Sequence, residues 1–267
     1  MLRRHRLGVL ALVVTGFYLA ALAVAALVAV MAGDLGPLWR LTLFTEADES
    51  APVTWPNVLR LVAAGLPWAW ALWQSLRGPL AGPAPEQDRD TRRLRVALYV
   101  AAASMLLFPL MPVWPWWMTL LSALPMWAVV LLIQPVWRFG HHDHVLALGV
   151  LGFGGLGVAD VLVALDQRLP DWVPLVCGVA GLLWTVLVLR AQRRDDRWHT
   201  ATVRYGIAGL VAPFVLVPVG RLVMGDLYAD ASVAAGALVM IWLARSAHDL
   251  AAPRTEPSSP VAEPVAT

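Results

Sequence analysis

The chain has 267 residues, of which 59% are hydrophobic and only 14% are charged, and its formal net charge is +2. A soluble domain carries about 25% charged residues, so this composition leaves too little polar surface for a globule in water and predicts that lipid covers it. All 20 basic residues are arginines, which we interpret as the coding bias of a GC-rich bacterial genome. The single cysteine, Cys177, excludes an intrachain disulfide and a cysteine-based metal site.

Eight apolar segments are long enough to cross a bilayer, since a span needs roughly 20 mostly apolar residues. In chain order they cover residues 7–32, 57–76, 96–114, 116–137, 145–165, 173–189, 205–224 and 227–244. The first follows a basic N-terminus, as the core of a secretory signal would. Its apolar run exceeds the roughly 7–15 residues of a signal peptide, which predicts an uncleaved span. The predicted fold class is therefore an all-α membrane protein, a bundle of about eight transmembrane helices.

The arginines give the predicted bundle a direction, because arginine and lysine are enriched in cytoplasmic loops. With the N-terminus inside, sixteen arginines fall on the inner side and only Arg40 and Arg168 on the outer side. This asymmetry predicts that both termini face the cytoplasm and that the chain is a multi-pass protein of the bacterial cytoplasmic membrane.

The segments outside the spans are short, and we expect no soluble catalytic or DNA-binding domain. We predict one polytopic transmembrane domain over residues 1–250 and a disordered cytoplasmic tail over 251–267, which is rich in proline, alanine and small polar residues. The longest outer loop contains an apolar stretch, residues 38–44, that predicts an interfacial helix.

A candidate intramembrane polar cluster consists of three charged residues inside predicted spans, Arg60, Asp160 and Arg221. All three are in the outer half, about 5, 8 and 5 Å below the outer ends at a rise of 1.5 Å per residue. Charge within a span is costly and usually faces the bundle interior, so the similar depth and opposite sign of Asp160 and Arg221 predict an ion pair. The alternatives are an outward-facing polar pocket that binds an anionic group, and independent snorkelling to the interface.

Histidines are concentrated on the predicted inner side, at 141, 142 and 144 around Asp143 and again at His199 and His248. Imidazole and carboxylate are good zinc ligands, but adjacent histidines do not share a helical face and the His-Glu-x-x-His spacing is absent. We therefore interpret this cluster as a solvated inner loop and predict no metal and no cofactor.

A weak internal sequence similarity relates the predicted inner ends of the fourth and eighth spans. Residues 138–143 read Arg-Phe-Gly-His-His-Asp, and residues 245–249 read Arg-Ser-Ala-His-Asp. Together with similar apolar runs in the second and sixth spans, this pattern raises the hypothesis of an old duplication of four spans.

The motifs that would name a reaction are absent from the sequence. There is no Walker motif, no Gly-x-Ser-x-Gly nucleophile and no aspartate-rich pair for a diphosphate and magnesium. This favours a non-enzymatic accessory, permease-like or small-ligand-binding helical bundle, and the alternative is an intramembrane enzyme that acts on lipid at the outer face through Asp160. The expected partners are the lipid bilayer and other membrane proteins, without nucleic acid, and the sequence does not identify a substrate.

Overall fold

The helices of the chain follow the predicted apolar segments. A computed structural model describes residues 7–43, 52–79, 88–107, 115–136, 142–224 and 231–252, without the side chains of 43, 142, 216–224 and 231–234. All regular secondary structure in these ranges is helical. The helices are α1 (Gly8–Ala32), α2 (Gly36–Leu43), α3 (Trp55–Leu76), α4 (Arg89–Leu107), α5 (Trp116–Val136), α6 (His142–Gly149), a π-helical turn (Val150–Gly154), α7 (Gly155–Ala164), α8 (Trp172–Arg194), α9 (Thr200–Met224) and α10 (Ala231–Asp249).

Four helices in the described part of the chain are long and apolar enough to cross a membrane. They are α1, α5, the continuous helix Asp143–Ala164 that joins α6 to α7, and α8, with mean hydropathies between 1.9 and 2.4. This supports the prediction of a helical membrane protein. Each of the eight predicted segments overlaps a helix, but the number of spans and their orientation stay predictions. The helix at the third segment begins at Arg89 rather than at residue 96, so its first two turns are charged.

The first three helices form one packed unit. Gly33 ends α1 in the left-handed conformation, with φ of +70°, and donates its N–H to the Ala29 carbonyl, which lets the chain turn at once into α2. Leu38 and Trp39 of α2 are fully buried against α1 and α3, and Tyr18 of α1 donates its hydroxyl to the Leu41 carbonyl at 2.9 Å. The predicted helix is confirmed over Gly36–Leu43, with Leu38 and Trp39 covered by protein, and its position at a membrane interface stays a prediction.

Helix α10 lies at the centre of the larger core, where it packs against α3, α4 and α9. Its residues from Met240 to Ala244 are all buried. Gly206 of α9 allows the close approach, because a Cβ at that position would come within 2.9 Å of the Trp242 ring. Trp68 and Trp184 are also buried.

The glycine-rich segment between α6 and α7 is a helix crossing. A Cβ built on Gly152 would lie 2.5 Å from the Cα of Gly181 on α8, so the two backbones are in direct contact. The π-helical turn at this level leaves the Phe153 carbonyl to accept a hydrogen bond from the indole N–H of Trp127 on α5, at 2.9 Å. Small residues thus allow helix packing here, as lipid-embedded bundles commonly require.

Candidate functional site

Several helix termini converge at one end of the bundle, which we call the Asp249 end. The N–H of Leu7, just before α1, donates to the carbonyl of Arg77, just after α3, at 3.3 Å. The turn from α8 to α9 and the last turn of α10 close the same end. A cavity of about 220 Å³ lies among them. It is lined by Arg77, Gly78, Pro79, His199, Arg245, His248, Asp249 and Ala252.

The carboxylate of Asp249 is the most buried charged group of this cavity, with 7% of the residue exposed. It accepts hydrogen bonds from the hydroxyl of Thr202 at 2.6 Å and from the backbone N–H of His199 at 3.1 Å. The His199 imidazole Nε2 lies 4.0 Å from the carboxylate, on a side chain that is mostly exposed. Burial raises the pKa of the Asp249 carboxyl, and the hydrogen bonds from Thr202 and His199 oppose that rise.

Arg245, one helical turn before Asp249, ties α10 to two other helices. Its Nη1 donates to the amide oxygen of Gln74 on α3 at 3.1 Å, and its Nε donates to the Thr202 hydroxyl at 3.4 Å. The guanidinium carbon lies 5.6 Å from the ring centre of Tyr205, whose hydroxyl accepts from the Trp70 indole at 3.0 Å. The hydrogen-bond partners that hold Arg245 in place are therefore neutral, and its charge also favours the ionised form of the Asp249 carboxylate.

Arg77 is the least satisfied group of the cavity. Its Nε is buried and has no hydrogen-bond partner among the described residues. Burial lowers the pKa of the Arg77 guanidinium, and the charge of Arg245 lowers it further. The charge of Asp249 opposes this fall in the pKa, and arginine keeps its proton at any physiological pH, so Arg77 is a partly buried cation.

The turn that carries His199 is fixed by an ion pair. Arg197 donates from Nη2 to the Asp195 carboxylate at 2.6 Å and from its backbone N–H at 3.0 Å. Burial raises the pKa of Asp195, but the hydrogen bonds and charge of Arg197 outweigh it, so the pKa is lowered overall. The carboxylate is thus ionised at neutral pH and holds the turn closed beside the cavity.

A second buried polar group lies one turn deeper. The side-chain amide of Gln192 on α8 accepts from the Trp242 indole at 2.8 Å and donates to the Ser246 hydroxyl at 3.0 Å. All three residues are buried. Because buried polar groups in lipid must find partners within the protein, this group fixes α8 against α10.

The predicted intramembrane cluster is only partly described. Arg60 donates to the side chain of Asn57, one turn earlier on α3, at 3.3 Å. Asp160 is exposed on α7 and makes no hydrogen bond or ion pair with any described residue. The side chain of Arg221 lies outside the described residues. The Asp160–Arg221 pair and catalysis at Asp160 therefore stay predictions.

The histidines separate into two groups. His199 and His248 line the cavity at the Asp249 end, whereas His144 is exposed and His141 lies outside the described residues. No group of three or more histidine, cysteine, aspartate or glutamate side chains in the described ranges could hold a metal ion.

The polar cluster predicted from the sequence lies in the outer half of the spans and does not include Arg77, Thr202 or Asp249. A usable signal was present, because Arg245 and Asp249 are four residues apart and share one helical face. Their partners on α3 and α9 are distant in sequence, so only tertiary structure brings these residues together.

No protein-family model matches the chain, and no curated protein or solved structure matches it either. The residues of the Asp249 end therefore carry the functional inference by themselves.

Proposed function

We propose that this chain is a non-enzymatic, multi-pass membrane protein that binds a small anion in the cavity at the Asp249 end. The observation that carries the proposal is the buried, unpartnered Nε of Arg77 beside a second arginine, Arg245. The ligand class is a phosphate or carboxylate group. The cavity is smaller than the roughly 300–1,000 Å³ of drug-sized pockets, which suits a small ion or one charged group of a larger molecule.

The charge of the cavity supports an anion over a cation. Two guanidinium groups face one carboxylate, and the carboxylate already accepts hydrogen bonds from Thr202 and His199. Arg77 thus retains unused donors in a partly buried setting, where charged interactions are stronger than in water. Guanidinium forks match the geometry of phosphate and carboxylate, so a bound anion would complete the shell of Arg77.

The topology proposed with this function has eight spans, both termini in the cytoplasm and the bacterial cytoplasmic membrane as location. The arginine asymmetry supports it. Leu7, Arg77 and His199 are all on the predicted inner side, and they meet at one end of the bundle. In this topology the cavity opens towards the cytoplasm.

Reporter fusions test this topology. A reporter active only in the cytoplasm should be active when fused after Arg95, Asp143, Arg197 or Pro253, because each position follows an even number of spans. Fusions within residues 46–51 or after Gln167 should be inactive. An inactive fusion after Arg197 would contradict the eight-span arrangement.

A thermal titration tests the anion site. In detergent at constant ionic strength, phosphate should raise the unfolding midpoint of the wild-type protein. At a phosphate concentration of a hundred times Kd, the free energy of unfolding should rise by about 2.7 kcal/mol. Arg77→Gln should weaken the apparent affinity at least about tenfold, or ~1.4 kcal/mol, because a charged donor of the site is lost. Arg190→Gln is the matched control, since Arg190 is exposed near the same end of α8 and should leave the response unchanged.

A second experiment, in nanodiscs of phosphatidylglycerol or phosphatidylcholine, distinguishes inorganic phosphate from a lipid headgroup as the ligand. A midpoint rise with inorganic phosphate identifies a soluble anion. A rise only in phosphatidylglycerol that Arg77→Gln abolishes identifies a lipid headgroup. An Arg77→Gln protein that responds like wild type, or no rise in either arm, would contradict the proposal.

A further inference from the structure

A long apolar groove lies between α5, α7 and α8, away from the Asp249 end. Its volume is about 620 Å³, and its walls include Trp127, Leu131, Gly154, Val158, Val173 and Cys177. The only polar side-chain atoms on its walls are the Cys177 thiol and the Trp127 indole nitrogen, and the latter donates to the Phe153 carbonyl. The groove therefore offers almost nothing to a polar ligand.

The groove is open beside Gly154, which has no side chain and lies at the end of the π-helical turn. Gly152 brings the helix into backbone contact with α8 at one level, and Gly154, two residues further on, lines the groove. A Cβ on Gly154 would meet only the Val150 side chain, at 3.7 Å. The backbone of Gly154 is ordinary right-handed helix, with φ of −67° and ψ of −48°, so the missing side chain is not required by backbone geometry.

The surroundings of the groove identify its occupant. All three helices are candidate membrane spans, and most of their residues are not buried within the protein. The walls extend from Gly149 to Leu162, a distance of about 20 Å along a helix, which exceeds the ~15 Å of one hydrocarbon leaflet. A groove at this depth contacts hydrocarbon rather than water.

Charged residues lie beside the end of the groove where α8 begins. Leu169 and Val173 line the groove where α8 begins, at the end of the bundle opposite to Asp249. The neighbouring Arg168, Asp171 and Trp172 are all exposed. An arginine and an aspartate together match the phosphate and the amine of a zwitterionic headgroup, and an exposed tryptophan is typical of the headgroup level.

We propose that this groove binds one acyl chain of a zwitterionic aminophospholipid of the leaflet opposite to the Asp249 end. Its phosphate contacts Arg168 and its ammonium group contacts Asp171. The site is separate from the anion cavity, so either proposal can fail without the other.

Photo-crosslinking tests the site. Phosphatidylethanolamine with a diazirine in a 16-carbon chain is incorporated into nanodiscs with the full chain, and the modified peptides are identified by mass spectrometry. We expect modification within residues 150–158 and 173–177. Gly154→Leu, which fills the groove, should reduce it at least fivefold. The matched control is Gly178→Leu on α8, where a Cβ meets nothing within 4 Å and the residue does not line the groove, and it should crosslink like wild type.

Further arms keep the test decisive. If Gly154→Leu does not fold, Val158→Phe fills the same groove from a position that is already 49% exposed. Arg168→Gln should reduce the crosslinking of phosphatidylethanolamine, and phosphatidylglycerol with the same chain should crosslink several-fold less. Wild-type crosslinking outside the groove, unchanged crosslinking in the filled variants, or equal crosslinking of the two lipids would overturn the proposal.

Discussion

Replacing Asp249 with alanine is expected to lower the free energy of unfolding by about 2–3 kcal/mol, because a buried donor that loses its acceptor incurs its desolvation cost. The Thr202 hydroxyl is fully buried and the His199 N–H would lose its acceptor as well. Asp249→Asn keeps an acceptor oxygen and should lose less. Thermal or denaturant unfolding in detergent measures both variants, with the exposed Asp196→Ala as control.

The pH dependence of stability gives a second readout of the same carboxylate. Burial raises the pKa of Asp249 above its ordinary value of 3.8, so the folded state retains this proton at a pH where the unfolded chain has lost it. Stability then falls as pH rises through the interval between the two pKa values and is constant above it. Wild type should therefore gain stability relative to Asp249→Asn as the pH is lowered into that interval. Two results together would contradict the assigned burial and hydrogen bonding of Asp249. One is a stability difference between wild type and Asp249→Asn that does not change with pH. The other is a loss of stability in Asp249→Ala that is no larger than in Asp196→Ala.

Replacing Gly152 with alanine should destabilise the protein by about 1–3 kcal/mol, the usual cost of overpacking. The new methyl group would lie 2.5 Å from the Cα of Gly181, and backbone cannot move aside as a flexible side chain can. Intrinsic helix propensity favours the opposite sign, because alanine exceeds glycine by roughly 0.5–1 kcal/mol within a helix. A loss of stability therefore reports the helix crossing itself, measured by thermal unfolding in detergent.

The matched control for this crossing is Gly181→Ala. A Cβ on Gly181 finds its nearest atom, the Cα of Gly152, at 3.7 Å, which is an ordinary contact. The two substitutions change the same interface by one methyl group but should differ in sign or size. Equal losses in both variants, or a Gly152→Ala protein as stable as wild type, would mean that α8 does not approach the π-helical turn this closely.

Much of the helical architecture could be predicted because it depends on local hydrophobic length. Each predicted segment overlaps a helix, and α2 lies where the apolar stretch at residues 38–44 indicated. Helix α4 begins before the predicted span because helix propensity continues through its charged first turns, whereas only the apolar part is suited to hydrocarbon. The π-helical turn has no local signature that separates it from an ordinary glycine-rich helix.

The candidate site could be predicted only in part because its interacting residues are far apart in the sequence. Arg245 and Asp249 are visible as a pair on one helical face, yet the partner of Arg245 is Gln74, 171 residues away. The sequence points instead to Asp160 and Arg221, because both lie inside predicted spans and charges in hydrocarbon are costly. The unsatisfied Nε of Arg77 is a property of tertiary packing and cannot be read from residue type or spacing.

The most direct test of the anion site is the number of ligands bound per chain. Calorimetric titration of the purified protein with glycerol phosphate, which has the phosphate group of both a soluble anion and a lipid headgroup, measures stoichiometry and affinity together. We predict one site per chain, with at least about tenfold weaker binding in Arg77→Gln and unchanged binding in Arg190→Gln. No saturable binding to wild type, or equal binding to wild type and Arg77→Gln, would contradict an anion site at the Asp249 end.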